Sequence, residues 1–207
     1  MTPAPQPPRL TLATRVTLLR ILGIPVFIVL VVYYLLGLER GAPEPLHRWW
    51  ALGLFVAIAA TDALDGYLAR SRNEVSALGR ILDPLADKAL LLSGLLLLTR
   101  PDIPALTPHI PVWFTGLVLS RDILLVGGYF LIRHLAGAVH VQPRLTGKLA
   151  TVLQMATIAW VLAQGPETYF FALVGAAGFL TALAGLQYLR DGWRQVEHLH
   201  RAHANPL

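Results

Sequence analysis

Six long apolar stretches dominate this 207-residue sequence and constrain its fold more than any other feature. The hydrocarbon core of a bilayer is about 30 Å thick and is crossed by about 20 largely apolar helical residues. The stretches approach this length, and they predict an all-α, polytopic membrane protein with six transmembrane helices. They cover residues 21–38, 49–61, 85–99, 110–132, 149–163 and 170–189.

The second and third stretches are too short to cross a bilayer as purely apolar runs. Each must recruit neighbouring residues that carry acids, 62–70 for the second and 79–83 for the third. These acidic residues are therefore expected near one membrane interface.

The distribution of basic residues predicts the orientation, because positively charged loops stay cytoplasmic. With both termini cytoplasmic, the outer loops hold only Arg40, Arg48 and Arg100 of the 17 Lys and Arg residues. Arg121 lies within the fourth stretch, and every other basic residue lies on the inner side. We expect a multi-pass protein of a bacterial-type inner membrane, with its acidic residues facing the cytoplasm.

The two ends of the chain differ from the membrane domain, which we assign to residues 10–190. Residues 1–9 contain four prolines and predict a disordered leader. Residues 10–19 alternate apolar with basic or hydroxyl positions, which fits either a short N-terminal amphipathic helix at the interface or an extension of the first span. Residues 191–207 are expected to form a solvated cytoplasmic tail, in which the spacing of His198, His200 and His203 does not place them on one helix face.

The overall charge and the absence of cysteine limit the possible partners and metal ligands. A net charge of +5 in a chain that is 55% hydrophobic suits an anionic membrane surface or phosphate-bearing substrates, rather than nucleic acid. Without cysteine there are no disulfides and no thiolate sites, so a metal must be held by carboxylates, histidines or backbone oxygens.

Four aspartates flank the connection between the second and third stretches. On helices, those in the second stretch share a stripe with small residues, and those in the third recur every four residues. The stripes are Asp62, Asp65, Gly66 and Ala69, and then Gly79, Asp83 and Asp87. If the helices pack as a hairpin joined through residues 70–78, four carboxylates converge, and Mg²⁺ or Mn²⁺ would neutralise them. Pro84 fits the start of a helix that Asp83 would cap.

Each acidic pair alone has an ordinary alternative, a solvated helix face. That alternative weakens beside apolar spans, where acids are costly and commonly functional. A transporter would place its acids at mid-membrane, where only Arg121 and Asp122 lie. A membrane scaffold without chemistry would need no converging carboxylates.

The acidic segment resembles the signature of the CDP-alcohol phosphatidyltransferase family. It reads Asp62-x2-Asp65-Gly66-x2-Ala69-Arg70-x8-Gly79-x3-Asp83-x3-Asp87. The resemblance implies that Asp62, Asp65 and Asp83 ligate two divalent cations, and that Asp87 joins this site and acts as general base. It also implies that Gly66, Ala69, Arg70 and Gly79 line the CDP site.

The same resemblance implies a reaction: the phosphatidyl group of CDP-diacylglycerol passes to an alcohol, CMP leaves, and the enzyme works as a homodimer. Residues 82–88 resemble the branch that makes phosphatidylglycerophosphate and also the related cardiolipin synthases. A predicted basic cradle would hold the phosphate of glycerol 3-phosphate, the acceptor that we favour; phosphatidylglycerol is the alternative. The cradle comprises Arg80, Arg121, Arg144 and Lys148.

Several details bear on this acceptor assignment. Positive-inside topology alone explains Arg80 and Arg144 equally well. For Arg121 we favour a substrate phosphate over Asp122 as partner, because adjacent helical residues point about 100° apart. Two segments depart from the family pattern. Thr14 stands where asparagine is usual, although Thr17 and Arg20 match, and the sequence Ser120-Arg121-Asp122 is closer to the cardiolipin-type enzymes.

Overall fold

The computed structural model describes the backbone of residues 12–72, 79–136 and 144–204. Over these ranges the chain forms six α-helices and no strand. They are α1 (Leu12–Glu39), α2 (Pro45–Arg72), α3 (Gly79–Leu98), α4 (Val112–Ala136), α5 (Leu145–Ala163) and α6 (Glu167–Ala204). The predicted all-α fold is confirmed.

Four helices contain segments that are long and apolar enough to cross a membrane. The segments are Arg20–Glu39, Val112–Phe130, Leu145–Ala163 and Glu167–Arg194. The other two helices, α2 and α3, combine shorter apolar runs with acidic residues, as the sequence indicated. The chain is therefore a membrane protein, and the six-span count stays a prediction.

Residues 1–97 form one unit, in which α1 and α2 make an antiparallel hairpin. Near one end of the hairpin the rings of Phe27 and Phe55 lie 5.5 Å apart, and near the other those of Tyr33 and His47 lie 5.7 Å apart. Apart from Arg20, the buried face of α1 is apolar, and so is its exposed face, as expected for a helix that contacts lipid. The exposed face carries Leu22, Val26, Val29 and Tyr33.

Residues 98–207 form a second unit, in which α6 packs against both α4 and α5. Helices α5 and α6 are antiparallel, since Arg144 pairs with Asp191 at one end and Gln154 donates to Thr181 further along. Helix α4 runs parallel to α6. Its first turn packs on Gly178, and Arg121, two turns later, packs on Gly185. Alternating helix directions within this unit are those of successive membrane crossings.

The structure corrects two predicted helix boundaries. Of the two alternatives for residues 10–19, the described part of the chain shows the extension of the first span and no separate amphipathic helix, because α1 runs without interruption from Leu12 to Glu39. The predicted capping role of Asp83 is wrong, because α3 begins at Gly79 and encloses both Asp83 and Pro84. Pro84 is the sixth residue of α3, where it lacks the N–H that would donate to the carbonyl of residue 80.

The predicted ends of the chain are described only in part. The leader at residues 1–9 lies outside the described residues. Residues 191–204, which we assigned to a cytoplasmic tail, continue α6 as helix, and their cytoplasmic location stays a prediction.

Candidate active site

The predicted general base, Asp87, meets a buried arginine from another helix. Arg20 of α1 donates from Nη1 to Oδ1 of Asp87 in α3 across 3.1 Å. The Arg20 side chain is 2% exposed, and that of Asp87 is 33% exposed. Asp87 is therefore held by a fixed positive charge and still reaches a surface from which a substrate could approach.

The register of the α1–α2 hairpin brings Asp62 to the level of this pair. Gly23 of α1 packs on Ile58 of α2, where an added Cβ would lie 2.9 Å from the Ile58 Cδ1. Asp62 follows Ile58 by four residues, about 6 Å along the axis, and Arg20 precedes Gly23 by three, about 4.5 Å in the same direction. The backbone positions of Asp62 and Arg20 thus lie at one end of the hairpin.

The remaining residues of the acidic signature are placed by their backbones alone. Asp65, Gly66, Ala69 and Arg70 follow Asp62 in α2, and Gly79, Arg80 and Asp83 precede Asp87 in α3. The side chains of this whole set, with Asp62, and the connection at residues 73–78 lie outside the described residues. The predicted convergence of four carboxylates therefore stays a prediction.

The described side chains contain no group of three His, Asp or Glu residues that could hold a metal ion. Of the four predicted metal ligands, only Asp87 belongs to that set. The donor atoms of the complete signature are all carboxylate oxygens, which are the hard ligands that Mg²⁺ and Mn²⁺ prefer. The donor set therefore fits the divalent cations that the resemblance implies.

Arg121 of α4 is buried inside the second unit and packs on two glycines. Its Cγ lies 3.7 Å from the position of a Cβ on Gly185 of α6, and its Nη2 lies 3.0 Å from the position of a Cβ on Gly147 of α5. The hydroxyl of Tyr188 lies 3.6 Å from the same point at Gly147. Small residues on two helices thus leave room for a buried guanidinium beside a phenol.

We expected a substrate phosphate rather than Asp122 as the partner of Arg121, but in the structure Asp122 is a partner. Nη1 of Arg121 donates to Oδ1 of Asp122 across 3.1 Å, and both side chains are largely buried, at 7% and 13% exposure. The long arginine side chain folds back to its neighbour, even though the two Cβ atoms diverge. Asp122 is thus a partner of Arg121, while Nε of Arg121 is buried with no hydrogen-bond partner in the described part of the chain.

The other basic residues of the predicted cradle have different surroundings. Arg144, at the N-terminal end of α5, donates to both carboxylate oxygens of Asp191 at 2.7 to 3.0 Å. Lys148 is exposed on α5. Arg80 has its side chain outside the described residues. Their role in binding a phosphate stays a prediction.

Three residues near the candidate sites were not among the predicted site residues: Arg20, Tyr188 and Gly185. Arg20 had a sequence signal, since it completes the Thr17-x-x-Arg20 segment that resembles the family. Tyr188 and Gly185 lie on the last helix, within a run of ordinary membrane composition, and had no signal.

Comparisons with known proteins agree with the acidic signature. Residues 10–185 match the family model of the CDP-alcohol phosphatidyltransferases. The chain is 34% identical over 174 residues to a Streptomyces coelicolor protein named cardiolipin synthase (CMP-forming), with 84% of this chain and 74% of the relative covered.

Two other relatives are named CDP-diacylglycerol–glycerol-3-phosphate 3-phosphatidyltransferase. The Bacillus subtilis protein is 30% identical over 195 residues, covering 90% of this chain and 97% of the relative. The Pseudomonas fluorescens protein is 32% identical over 194 residues, covering 88% and 90% respectively.

Proposed function

This chain belongs to the CDP-alcohol phosphatidyltransferase family, and we propose that it transfers a phosphatidyl group from CDP-diacylglycerol to glycerol 3-phosphate. The acceptor hydroxyl oxygen forms a bond to the phosphorus that carries diacylglycerol, the bond from that phosphorus to CMP breaks, and CMP leaves. The observation that carries the proposal is the complete acidic signature, distributed over α2 and α3 within the matched region.

Two divalent cations, Mg²⁺ or Mn²⁺, would be held by Asp62, Asp65, Asp83 and Asp87. When bound, they would polarise the diphosphate of the donor and stabilise the charge on departing CMP. Gly66, Ala69, Arg70 and Gly79 would line the CDP site, since small residues permit close approach of the nucleotide to two helices. The backbone placement of these residues in α2 and α3 supports the assignment.

Asp87 would accept the proton of the acceptor hydroxyl as its oxygen attacks phosphorus. A general base must be ionised and oriented toward that proton. The guanidinium of Arg20, which cannot lose its charge under biological conditions, donates to Oδ1 of Asp87 and orients its carboxylate. The partial exposure of Asp87 allows contact with a substrate.

The phosphate of glycerol 3-phosphate would bind to the basic residues predicted from sequence, with Arg121 as the principal contact. Arg121 is buried and has one N–H without a partner in the described part of the chain, and a phosphate oxygen could satisfy it. Lys148 is exposed and available as a second contact. Arg144 would contribute less, because Asp191 engages both Nε and Nη2 of Arg144, whereas Asp122 engages only Nη1 of Arg121. Arg80 belongs to the proposed set on sequence grounds alone.

A second candidate function is cardiolipin synthesis with phosphatidylglycerol as acceptor. It is favoured by the Streptomyces coelicolor relative, which carries that name, and by the paired Arg121 and Asp122. A neutralised arginine is less suited to a free phosphate dianion than an unpaired one. The two acceptors can be separated by experiment.

The enzyme would work in a cell inner membrane as a six-span homodimer, with both termini and the acidic site on the cytoplasmic side. The distribution of basic residues supports the orientation. The antiparallel α1–α2 hairpin and the alternating directions of α4, α5 and α6 support repeated crossing. The dimer follows from family resemblance.

The test is CMP release by the purified protein in detergent with CDP-diacylglycerol and Mg²⁺, and with glycerol 3-phosphate or phosphatidylglycerol as acceptor. Asp87→Asn should lower CMP release by at least about 100-fold, because loss of a general base costs about 10²- to 10⁴-fold. CMP release that persists in this variant, or an absence of release from the unmodified protein with either acceptor, would contradict the proposal.

Asp102→Asn is the matched control. Asp102 is an exposed aspartate in the loop before α4, and it also pairs with an arginine, because Arg100 donates to its carboxylate and thereby lowers the pKa of Asp102. We expect unchanged CMP release. Asp87→Asn also removes the carboxylate that accepts from Arg20, so it could lower stability as well as remove the base. Thermal unfolding of both variants therefore shows whether a loss of CMP release comes from the missing base or from a less stable fold.

A further inference from the structure

We propose that Arg20 is a positioning residue that orients the carboxylate of Asp87 for its role as general base. We also propose that the positive charge of Arg20 weakens the binding of divalent cations at the acidic site. The inference rests on the proposed function, because it takes Asp87 as the base and as a metal ligand. It concerns a residue on α1, outside the acidic signature on α2 and α3.

The contact between the two side chains is suited to orienting a carboxylate. Arg20 is buried, so its guanidinium has little freedom, and it donates to one specific oxygen of Asp87, Oδ1, across 3.1 Å. A charge-assisted hydrogen bond of this kind fixes an acceptor more firmly than a neutral one. Asp87 is therefore restrained from α1 as well as by its own helix.

The location of Arg20 brings a permanent positive charge into the acidic region. The hairpin register brings the backbone of Asp62 to the level of Arg20, and the ion pair brings Asp87 to the guanidinium. A cation bound by these aspartates would be repelled by Arg20, because like charges a few ångströms apart interact strongly inside a protein. The CDP diphosphate would be attracted by the same charge.

The same hairpin contains a second buried arginine, which serves as the matched control. Arg48 lies near the start of α2, is 8% exposed and stacks on the Trp49 ring at 4.7 Å. It lies beside His47, which stacks on Tyr33, and hence at the opposite end of the hairpin from Arg20. Its removal costs a buried arginine without changing the charge near Asp87.

The experiment compares Arg20→Gln, Arg20→Lys and Arg48→Gln with the unmodified protein. Mn²⁺ binding is measured without lipid substrate from the electron paramagnetic resonance of free Mn²⁺. The kcat and the KM for CDP-diacylglycerol are then measured by CMP release. The binding arm is independent of turnover, so it tests the charge effect even if neither acceptor supports reaction and the proposed function fails.

We expect Arg20→Gln to bind Mn²⁺ about three- to tenfold more tightly, because it removes a repulsive charge. Its kcat should fall about tenfold or more, because a carboxylate that is no longer correctly oriented accepts the acceptor's proton less effectively. Arg20→Lys should keep the Mn²⁺ affinity within about twofold, because the charge remains. Its kcat should lie between those of the Gln variant and the unmodified protein, because an ammonium does not reproduce the guanidinium fork.

Three results would overturn the inference. The first is Mn²⁺ binding by Arg20→Gln that equals or is weaker than that of the unmodified protein. The second is the same pattern of tighter Mn²⁺ binding and lower kcat in Arg48→Gln. The third is an unchanged kcat in Arg20→Lys, which decides against positioning even if the Gln variant does not fold.

Discussion

The buried charge of Arg121 is accommodated in the second unit by two glycines as well as by its ion-pair partner. Its carboxylate partner, Asp122, is its own neighbour, and its side chain occupies space that exists because Gly147 and Gly185 have no side chains. Charged groups inside membrane helices commonly mark functional positions. Gly147 is therefore a determinant of where the Arg121 guanidinium lies.

Replacing Gly147 by alanine should weaken acceptor binding while leaving the fold intact. The new Cβ would lie 3.0 Å from Nη2 of Arg121, which is the end of a flexible side chain and can move aside. Because the guanidinium would be displaced from its proposed phosphate contact, the KM for glycerol 3-phosphate should rise about tenfold, the effect of roughly 1.4 kcal/mol. The KM for CDP-diacylglycerol and the melting temperature should change little.

The control is Gly116→Ala in α4, where an added Cβ meets nothing within 4 Å. Its kinetics should match the unmodified protein. An unchanged KM for glycerol 3-phosphate in Gly147→Ala would contradict the role of Arg121 in acceptor binding.

At the scale of single residues, the sequence predicts the spacing of the aspartates along the helices better than it predicts their ion-pair partners. The recurrence of the aspartates at helical intervals could be identified directly from the residues, and their backbones do lie in α2 and α3. The partner of Asp87 could not, because Arg20 lies 67 positions away and reaches it only once α1 packs near α3. Asp122 was considered as the partner of Arg121 but not favoured, because the divergence of adjacent Cβ atoms does not prevent a long, flexible side chain from folding back to its neighbour.

Helix α6 contacts α5 through hydrogen bonds and an ion pair, and it contacts α4 through close packing at small residues. Toward α5 it presents polar groups, since Gln154 donates to Thr181 and Arg144 to Asp191. Toward α4 it presents small residues, and Trp113 packs on Gly178. Interhelical hydrogen bonds and close packing at small residues both stabilise helix pairs in membranes, where lipid competes with apolar contacts.

Enlarging Gly178 should separate α4 from α6. A Cβ at this buried position would lie 3.1 and 3.2 Å from ring atoms of Trp113 and 3.7 Å from Phe114, so Gly178→Val should destabilise the fold by about 1–3 kcal/mol, as overpacking does. Thermal unfolding in detergent measures the effect. Gly175→Val, one turn earlier on an open face of the same helix, should unfold near the temperature of the unmodified protein, and equal shifts in both variants would contradict this packing.

The existence of the helices was predictable from sequence, because apolar runs of this length seldom form any other structure in a membrane protein. The residues at which the helices begin and end were less predictable. The first helix begins before its apolar run and the last continues well past its own. Polar residues such as those of 191–204 extend a helix as readily as they form a solvated tail, so hydropathy does not locate the end. Pro84 likewise indicated a start that lies five residues too late.

The distribution of basic residues predicts one membrane orientation for the whole molecule, and the absence of cysteine makes this prediction easy to test. Single cysteines can be introduced at exposed positions without removing native ones. Glu44, Asp102 and Glu167 lie at or beside helix ends that the charge distribution places outside, whereas Leu145 and Glu197 lie on the side that it places inside.

In intact cells, a membrane-impermeant maleimide should label cysteines at Glu44, Asp102 and Glu167. Cysteines at Leu145 and Glu197 should be labelled only after the membrane is permeabilised, because their ends of the helices face the cytoplasm in the predicted topology. The opposite pattern would reverse the orientation. If α2 and α3 both cross the membrane, the cysteines at positions 44 and 102 lie on the same side. Labelling of these two cysteines from different sides would therefore exclude the six-span fold.

The most direct test of the central claim is the mass of the lipid product when both acceptors compete. The protein is reconstituted in vesicles with CDP-diacylglycerol, phosphatidylglycerol, glycerol 3-phosphate and Mg²⁺, and the products are identified by mass spectrometry. We predict phosphatidylglycerophosphate, formed in step with CMP and absent with Asp87→Asn. Cardiolipin as the only product would assign the chain to the alternative acceptor, and the absence of any new lipid would contradict the proposed transfer.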